Sequence, residues 1–149
     1  MKRGGLVITI DGPAGSGKST VSQILASRLN YNFLTTGAFY RGLALLCTLK
    51  KTPLDDRGAV VALSNYPKFK VTASVSGTEV FIDDENVTDQ LHNESVAKVA
   101  SQISAYPEVR EALLEAQRKF NRPPGLVAEG RDCGTVVFPE ATVKIYLTA

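Results

Sequence analysis

Residues that build metal centres and disulfide frameworks are scarce in this sequence. Its 149 residues include two cysteines and one histidine. Cys47 and Cys133 lie far apart and lack metal-ligand spacing, which argues against a zinc site and against a disulfide framework. His92 falls in a predicted loop or cap, and we assign it no catalytic role. Two isolated cysteines are typical of reduced thiols, so we expect a cytoplasmic protein.

Long apolar runs are also missing. No run approaches the ~20 apolar residues that a membrane-spanning helix needs, and the run behind Lys2 and Arg3 has only about five, too few for a signal peptide. We therefore expect no membrane partner. The net charge of +2 argues by itself neither for nor against nucleic acid, and we expect no nucleic-acid partner. The length and the hydrophobic content of 44% predict one domain with a real core.

A glycine-rich motif stands out against this background. The pattern G-x-x-x-x-G-K-[ST] runs from Gly12 to Ser19. The β-branched run Leu6–Ile10 before it predicts a buried strand, and apolar residues on one face predict a helix after it. Strand, glycine loop and helix together indicate a loop that binds the phosphates of a nucleoside triphosphate. The apolar helix face consists of Val21, Ile24, Leu25 and Leu29, and the predicted ATP-binding residues are Gly12, Pro13, Ala14, Gly15, Ser16, Gly17, Lys18, Ser19 and Thr20.

The chemistry of this loop follows from its residue types. Glycines allow a tight turn in which successive N–H groups point at a phosphate, and the following helix adds its positive N-terminal end. Lys18 can reach the β- and γ-phosphates, and Ser19 can hold Mg²⁺. The structural alternative is a chance match, or a glycine turn with a merely exposed lysine. The motif indicates a nucleotide but does not identify the reaction.

The periodicity predicts an α/β fold with a parallel sheet. Its strands are Leu6–Ile10, Tyr31–Leu34, Leu126–Ala128 and Val143–Leu147, separated by helical patterns. Strict alternation from Phe69 onward predicts a small antiparallel insertion instead. We therefore predict a P-loop kinase-like sheet with flanking helices, divided into residues 1–66 (first part of the core), 67–92 (antiparallel insertion) and 93–149 (helices and remaining core strands).

Three local predictions concern the ends of elements. Thr36 is a candidate N-cap for a helix in which Phe39, Leu43, Leu46 and Leu49 share a face. Asp55 is the candidate cap of a short helix ending near Leu63. Val87-Thr88 is the candidate start of a third strand in the insertion. Two later helices are predicted from the apolar stripes Val96, Val99, Ala100 and Ile103, and Val109, Leu113, Ala116 and Phe120.

Charged residues follow the ends of the predicted parallel strands, where ligands bind in such sheets. Glu129 can orient Mg²⁺ or its waters, unless it is a solvated or helix-facing carboxylate. Arg131 and Asp132 offer a phosphate clamp and a hydroxyl acceptor, or else form an internal salt bridge. Arg41 fits a second phosphate contact and a surface ion pair equally well. Arg110 has the weakest case from sequence, since arginines at such positions are mostly solvated.

The sequence also resembles the bacterial cytidylate kinase family. The resemblance covers almost the whole chain, and the run from Gly130 to Pro139 is far more specific than the glycine motif. Thr36, Glu129 and Cys133 depart from the family's common Ser, Asp and Met, and the first two exchanges keep the chemistry. The motifs that carry the resemblance are Thr9–Pro13, Thr36–Arg41, Ala100–Gln102, Val109–Leu113 and Glu129–Pro139.

The resemblance implies transfer of the γ-phosphoryl group of ATP, with Mg²⁺, to CMP or dCMP. Thr36 and Asp132 would contact the pentose, Ser101 and Arg110 would read the cytosine, and Arg41 and Arg131 would hold the acceptor phosphate. Lys18 and Arg131 would be the catalytic residues, and Ser19 and Glu129 the metal ligands. Tyr40 completes the substrate-binding set.

The family also continues beyond the position of Ala149 with an arginine-bearing lid, more helices and a fifth parallel strand. We therefore expect a monomer for a complete protein, and self-association and slow turnover for a polypeptide of these 149 residues. Two alternatives stay open: another nucleotide or small-molecule P-loop kinase, and a nucleotide-binding fragment without turnover. A GTPase would need a guanine-reading N-K-x-D motif, which the sequence lacks.

Overall fold

The computed structural model describes residues 6–148, which divide into two compact units. The sheet unit comprises residues 6–36, 73–78 and 117–148, and the helical unit comprises 37–72 and 79–116. The predicted divisions after residues 66 and 92 remain a prediction. Within residues 6–148, no helix has the length and apolar character required to cross a bilayer.

The sheet unit is built on four parallel strands, as predicted. They are β1 (Leu6–Asp11), β2 (Asn32–Thr35), β6 (Gly125–Gly130) and β7 (Val143–Tyr146), in the order β2-β6-β1-β7. All six residues of β6 are buried, which is why this strand reads as a nearly continuous run of small and apolar residues. The predicted α/β class with a mostly parallel mixed sheet is confirmed.

Helix α1 (Lys18–Leu29) differs from the prediction in which side it buries. Its buried residues are Ser22 and Ala26, whereas Val21, Ile24 and Leu29 are 40–51% exposed. Leu25 alone of the predicted stripe packs against the core. Small side chains face the sheet here because they let the helix approach β6 and β2 closely.

Strand β7 leaves apolar surface at the edge of this sheet. Val143 is 44% exposed and Tyr146 is 66% exposed, and β7 pairs with β1 on one side only among the described residues. An uncovered edge strand is a template for pairing with another chain. The expected self-association remains a prediction that this surface supports.

The antiparallel insertion is present, with one correction. It contains β3 (Phe69–Ser74), β4 (Gly77–Ile82) and β5 (Glu85–Asn86), and β3 alternates between half-buried and exposed residues. The third strand predicted at Val87-Thr88 is wrong, because Thr88 begins a 3₁₀ helix that ends at His92. The Asn86 side chain accepts hydrogen bonds from the Thr88 N–H (3.0 Å) and hydroxyl (2.6 Å), a local turn that competes with the ladder.

Four helices form most of the helical unit: α2 (Gly37–Leu49), α3 (Arg57–Leu63), α4 (Glu94–Ser104) and α5 (Pro107–Arg118). The predicted cap of α3 is wrong by one residue. Asp56, not Asp55, accepts the N–H of Ala59 (3.1 Å) and so caps the helix. The predicted apolar stripes are confirmed except at Leu49, the last residue of α2, which is 53% exposed. Their fully buried members include Leu43, Leu46, Ile103 and Val109.

Candidate active site

The glycine loop connects β1 to α1 and has the backbone that its sequence predicts. Gly15 and Gly17 have φ angles of +80° and +84°, a left-handed conformation that other residues adopt at a cost. Gly12 is required for a different reason. A Cβ atom there would lie 2.5 Å from the carbonyl oxygen of Leu147. The loop is therefore shaped by glycine at three positions, which supports its assignment as a phosphate-binding loop.

Two positive features converge on this loop. Helix α1 begins at Lys18 with no acidic residue in its first turn, so nothing in that turn opposes the positive end of the helix dipole. The Lys18 ammonium lies 3.4 Å from the carbonyl oxygen of Pro13, across the loop itself. The lysine ammonium is thus held against the loop, so its charge is available to a phosphate group bound there.

Glu129 is the centre of a buried oxygen cluster. It lies on β6 directly opposite Thr35 of β2 and is only 4% exposed. One carboxylate oxygen, Oε2, accepts hydrogen bonds from the hydroxyls of Ser19 (2.8 Å) and Thr35 (3.3 Å). The alternative of a solvated carboxylate is thereby excluded, whereas the alternative of a helix-facing carboxylate agrees with the structure, because Ser19 lies on α1. Thr35 was not predicted, although its position at a strand end was the signal used for Glu129.

This cluster fits a hard divalent cation. Mg²⁺ prefers oxygen ligands and is usually held by one or two protein groups together with substrate phosphates and water. Ser19 and Glu129 supply a hydroxyl and a carboxylate on adjacent elements, next to the phosphate loop. These two residues, rather than a larger cage of side chains, are the ones that could hold the ion.

Thr36 is buried immediately before α2, at the position predicted for an N-cap. Its hydroxyl donates to the carbonyl oxygen of Glu129 (3.1 Å) and lies 3.7 Å from the Cys133 sulfur. Its backbone N–H donates to the same carbonyl (3.1 Å). A Cβ at residue 130 would collide with the Thr36 hydroxyl, so Gly130 is required. Thr36 is therefore fixed beside the Glu129–Arg131 segment.

Asp11, the last residue of β1, was not predicted to belong to the site. It is 6% exposed, and its two carboxylate oxygens accept the backbone N–H groups of Cys133 and Gly134, each at 2.8 Å. Burial, followed by the Asp11 charge, raises the pKa of the Cys133 thiol, which stays protonated. The signal that could have found Asp11 is an acidic residue at the end of a buried strand, immediately before the glycine loop.

Arg131 and Asp132 follow β6 on the segment between Gly130 and Cys133. The Arg131 side chain is exposed and Asp132 is half-buried. A π-helical turn from Cys133 to Val137 comes next. Arg131 is thus exposed at the surface of the sheet unit, two residues after the buried Glu129, as a residue that meets a ligand phosphate would be.

The remaining predicted residues belong to the helical unit. Tyr40 and Arg41 lie in the first turns of α2 and are half-buried. Ser101 is exposed on α4, and Arg110 is exposed on α5. The Arg110 guanidinium donates to the carbonyl oxygen of Ser104 (2.8 Å), three residues along α4 from Ser101. Arg110 is therefore anchored near the end of the helix that carries its predicted partner.

Comparison with known proteins finds one family over nearly the whole chain. Residues 8–149 match the family model described as Cytidylate kinase. A curated cytidylate kinase of Bdellovibrio bacteriovorus is 55% identical over 146 residues, covering 97% of this chain and 67% of that protein. Those of Shewanella loihica and Azotobacter vinelandii are 45% and 47% identical, covering 96% and 97% of this chain and 63% and 64% of theirs. The chain thus spans about two thirds of the length of these relatives.

Proposed function

Since this chain belongs to the cytidylate kinase family, we propose that it transfers the γ-phosphoryl group of ATP to CMP or dCMP, giving ADP and CDP or dCDP. The observation that carries the proposal is the contact between Ser19 and Glu129 beside the glycine loop. It joins a hydroxyl and a buried carboxylate at the place where a nucleotide-bound Mg²⁺ needs both.

The donor side follows from the loop. Within the loop Gly12–Thr20, backbone N–H groups hold the β-phosphate, except those of Gly12, which donates to Gly130, and Pro13, which has none. Lys18 neutralises charge on the β- and γ-phosphates. Ser19 and Glu129 would hold Mg²⁺ directly or through its waters, and the ion would supply positive charge against the negative charge on the phosphate oxygens.

The acceptor side is assigned through the family resemblance. Arg41 and Arg131 hold the acceptor phosphate, and Thr36 and Asp132 contact the pentose. Arg110 and Ser101 read the cytosine, whose O2 and N3 atoms accept hydrogen bonds that a guanidinium and a hydroxyl can donate. Tyr40 lies next to Arg41 and completes this set. The exposure of Arg131, Ser101 and Arg110 supports these roles, because each can be reached by a ligand.

The reaction needs no covalent intermediate. An oxygen of the acceptor monophosphate attacks the γ-phosphorus, a new P–O bond forms, and the bond to the β,γ-bridging oxygen breaks to release ADP. Catalysis therefore consists of alignment and charge neutralisation. Lys18 and Arg131 supply positive charge on the donor and acceptor sides. We place this reaction in the cytoplasm, with nucleotides as its only required partners.

A turnover assay with an acceptor panel tests the proposal. The purified protein is given ATP and Mg²⁺ with CMP, dCMP, UMP, AMP or GMP, and nucleoside diphosphates are separated by chromatography. We expect CDP and dCDP to form well above the other diphosphates, and ADP release without acceptor to stay at background. Preference for another monophosphate would redirect the assignment to a different nucleotide kinase. MgATP and CMP binding without turnover would support a binding fragment instead.

A further inference from the structure

The Asp11 carboxylate has no role in the reaction described so far, yet it is among the most buried charges of the sheet unit. Its oxygens divide between two donors: Oδ1 accepts the N–H of Cys133 and Oδ2 accepts the N–H of Gly134, each at 2.8 Å. The neighbouring Gly12 N–H donates to the carbonyl oxygen of Gly130 (3.2 Å). Two consecutive residues, 11 and 12, therefore bind both sides of the segment that carries Arg131 and Asp132.

A negatively charged side chain at position 11 is energetically unfavourable for two reasons. Burying a carboxylate is unfavourable unless it is hydrogen-bonded, and a fixed negative charge before a phosphate-binding loop repels the phosphates that the loop must hold. The two acceptor oxygens of the carboxylate explain why an aspartate occupies this position. A carboxylate satisfies both N–H groups with charge-assisted hydrogen bonds, whereas an asparagine offers one oxygen and turns a donor toward the second N–H.

These hydrogen bonds fix the position of the Arg131–Asp132 segment, proposed to bind the acceptor, relative to the phosphate loop, proposed to bind ATP. Arg131 and Asp132 lie between Gly130, tied to Gly12, and Cys133, tied to Asp11. The segment cannot shift relative to the start of the phosphate loop without breaking one of these ties. We infer that Asp11 is a positioning residue that fixes the Arg131–Asp132 segment relative to the phosphate loop and so sets the acceptor phosphate against the γ-phosphate. This inference rests on the proposed function.

Two substitutions of Asp11 distinguish an effect of its position from an effect of its charge. Asp11→Asn keeps the shape and removes one acceptor oxygen, and Asp11→Glu keeps the charge but moves the carboxylate by one methylene. We expect kcat/KM for CMP to fall about 10- to 100-fold in both, as small misplacements of reacting groups do, with MgATP affinity held within about twofold. Amide hydrogen exchange at Cys133 and Gly134 should accelerate in both variants. Asp55→Asn, an exposed residue with the same charge change, is the matched control.

The outcomes are distinct. Loss of CMP turnover with retained MgATP binding and faster exchange at Cys133 and Gly134 supports the inference. Wild-type kinetics in Asp11→Glu would overturn it in favour of a charge effect. Equal loss of MgATP and CMP binding in both variants would overturn it in favour of a general folding role, which thermal melting would register. If the wild-type protein neither binds nor phosphorylates CMP, the proposed function is refuted, and the positioning role of Asp11 is refuted with it.

Discussion

The acidic side chains of the two units are held in opposite ways. In the sheet unit, Asp11 and Glu129 are 6% and 4% exposed, and their oxygens are occupied by backbone N–H groups and hydroxyls. In the helical unit, the Asp83 side chain is 46% exposed and is met by the flexible Lys50 at 3.3 Å and by the Tyr66 hydroxyl. The sheet unit thus fixes Asp11 through backbone N–H groups of the π-helical turn and Glu129 through two hydroxyls, whereas Asp83 of the helical unit stays partly in solvent.

This difference in how the carboxylates are held has a functional consequence. Buried hydrogen bonds to backbone hold a group within a narrow range of positions, which suits the phosphates, because their geometry is the same in every turnover. In the helical unit Ser101 is exposed, and the exposed Arg110 donates one hydrogen bond to the Ser104 carbonyl oxygen (2.8 Å), so these side chains can adapt to a base with few contacts to lose. Substitutions of the predicted site residues in the sheet unit should therefore damage chemistry, and those in the helical unit should alter selectivity or have small effects.

The largest effect is expected at Lys18. Lys18→Ala removes a charged contact to the phosphates, which costs roughly 1.5–3 kcal/mol of MgATP binding by the usual magnitude for charged hydrogen bonds. Titration calorimetry with MgATP measures this directly. Lys119→Ala, an exposed lysine of the same unit, is the matched control and should bind like the wild type. If the Lys18 variant binds MgATP with unchanged affinity, the assignment of Gly12–Thr20 as the ATP-binding loop is wrong.

Glu129→Gln should come next. The amide keeps the shape and one acceptor oxygen for Ser19 and Thr35, but it removes the negative charge that Mg²⁺ requires. Losing such a partner costs about 10- to 100-fold in metal affinity or activity. The expected signature is a rise in the Mg²⁺ concentration needed for half-maximal turnover. Glu140→Gln, at an exposed position, provides the control, and an unaltered Mg²⁺ dependence in the Glu129 variant would show that the carboxylate does not serve the metal.

The features that could be predicted from the sequence are those with a local signal, and the features that could not are those that depend on distant contacts. The glycine loop and β6 were predictable because spacing and a continuous apolar run are local signals. Glu129 was found because strand ends bear ligands in parallel sheets. The role of Asp11 was not predictable, since its partners lie more than a hundred residues away and are backbone groups that carry no residue code. The exposed stripe of α1 was misjudged because an apolar face does not say which neighbour covers it.

Arg110→Met tests the helical unit with a smaller effect. Methionine keeps the length of the stem and deletes the donors, so CMP should lose about tenfold or more in kcat/KM by the magnitude for charged hydrogen bonds. UMP should lose less, because a site built around one polar edge loses most against its own ligand. Arg28→Met, an exposed arginine on α1, is the control. An equal loss for CMP and UMP would show that Arg110 does not read the base.

Asp83→Asn should have the smallest effect, and it tests the comparison most directly. The hydrogen bond from the Tyr66 hydroxyl, and then that from Lys50, lowers the pKa of Asp83 in the folded protein. A lowered folded-state pKa stabilises the protein above the unfolded value of about 3.9, and this contribution is lost as the pH falls through the folded-state pKa. Because the pair is exposed and screened by salt, we expect a slightly lower Tm for the variant at neutral pH. The difference should shrink in high salt and vanish in acid. Asp11→Asn, measured beside it, should lower the Tm more, because it leaves a buried N–H without its acceptor. Equal losses in the two variants would mean that exposure does not separate the carboxylates of the two units.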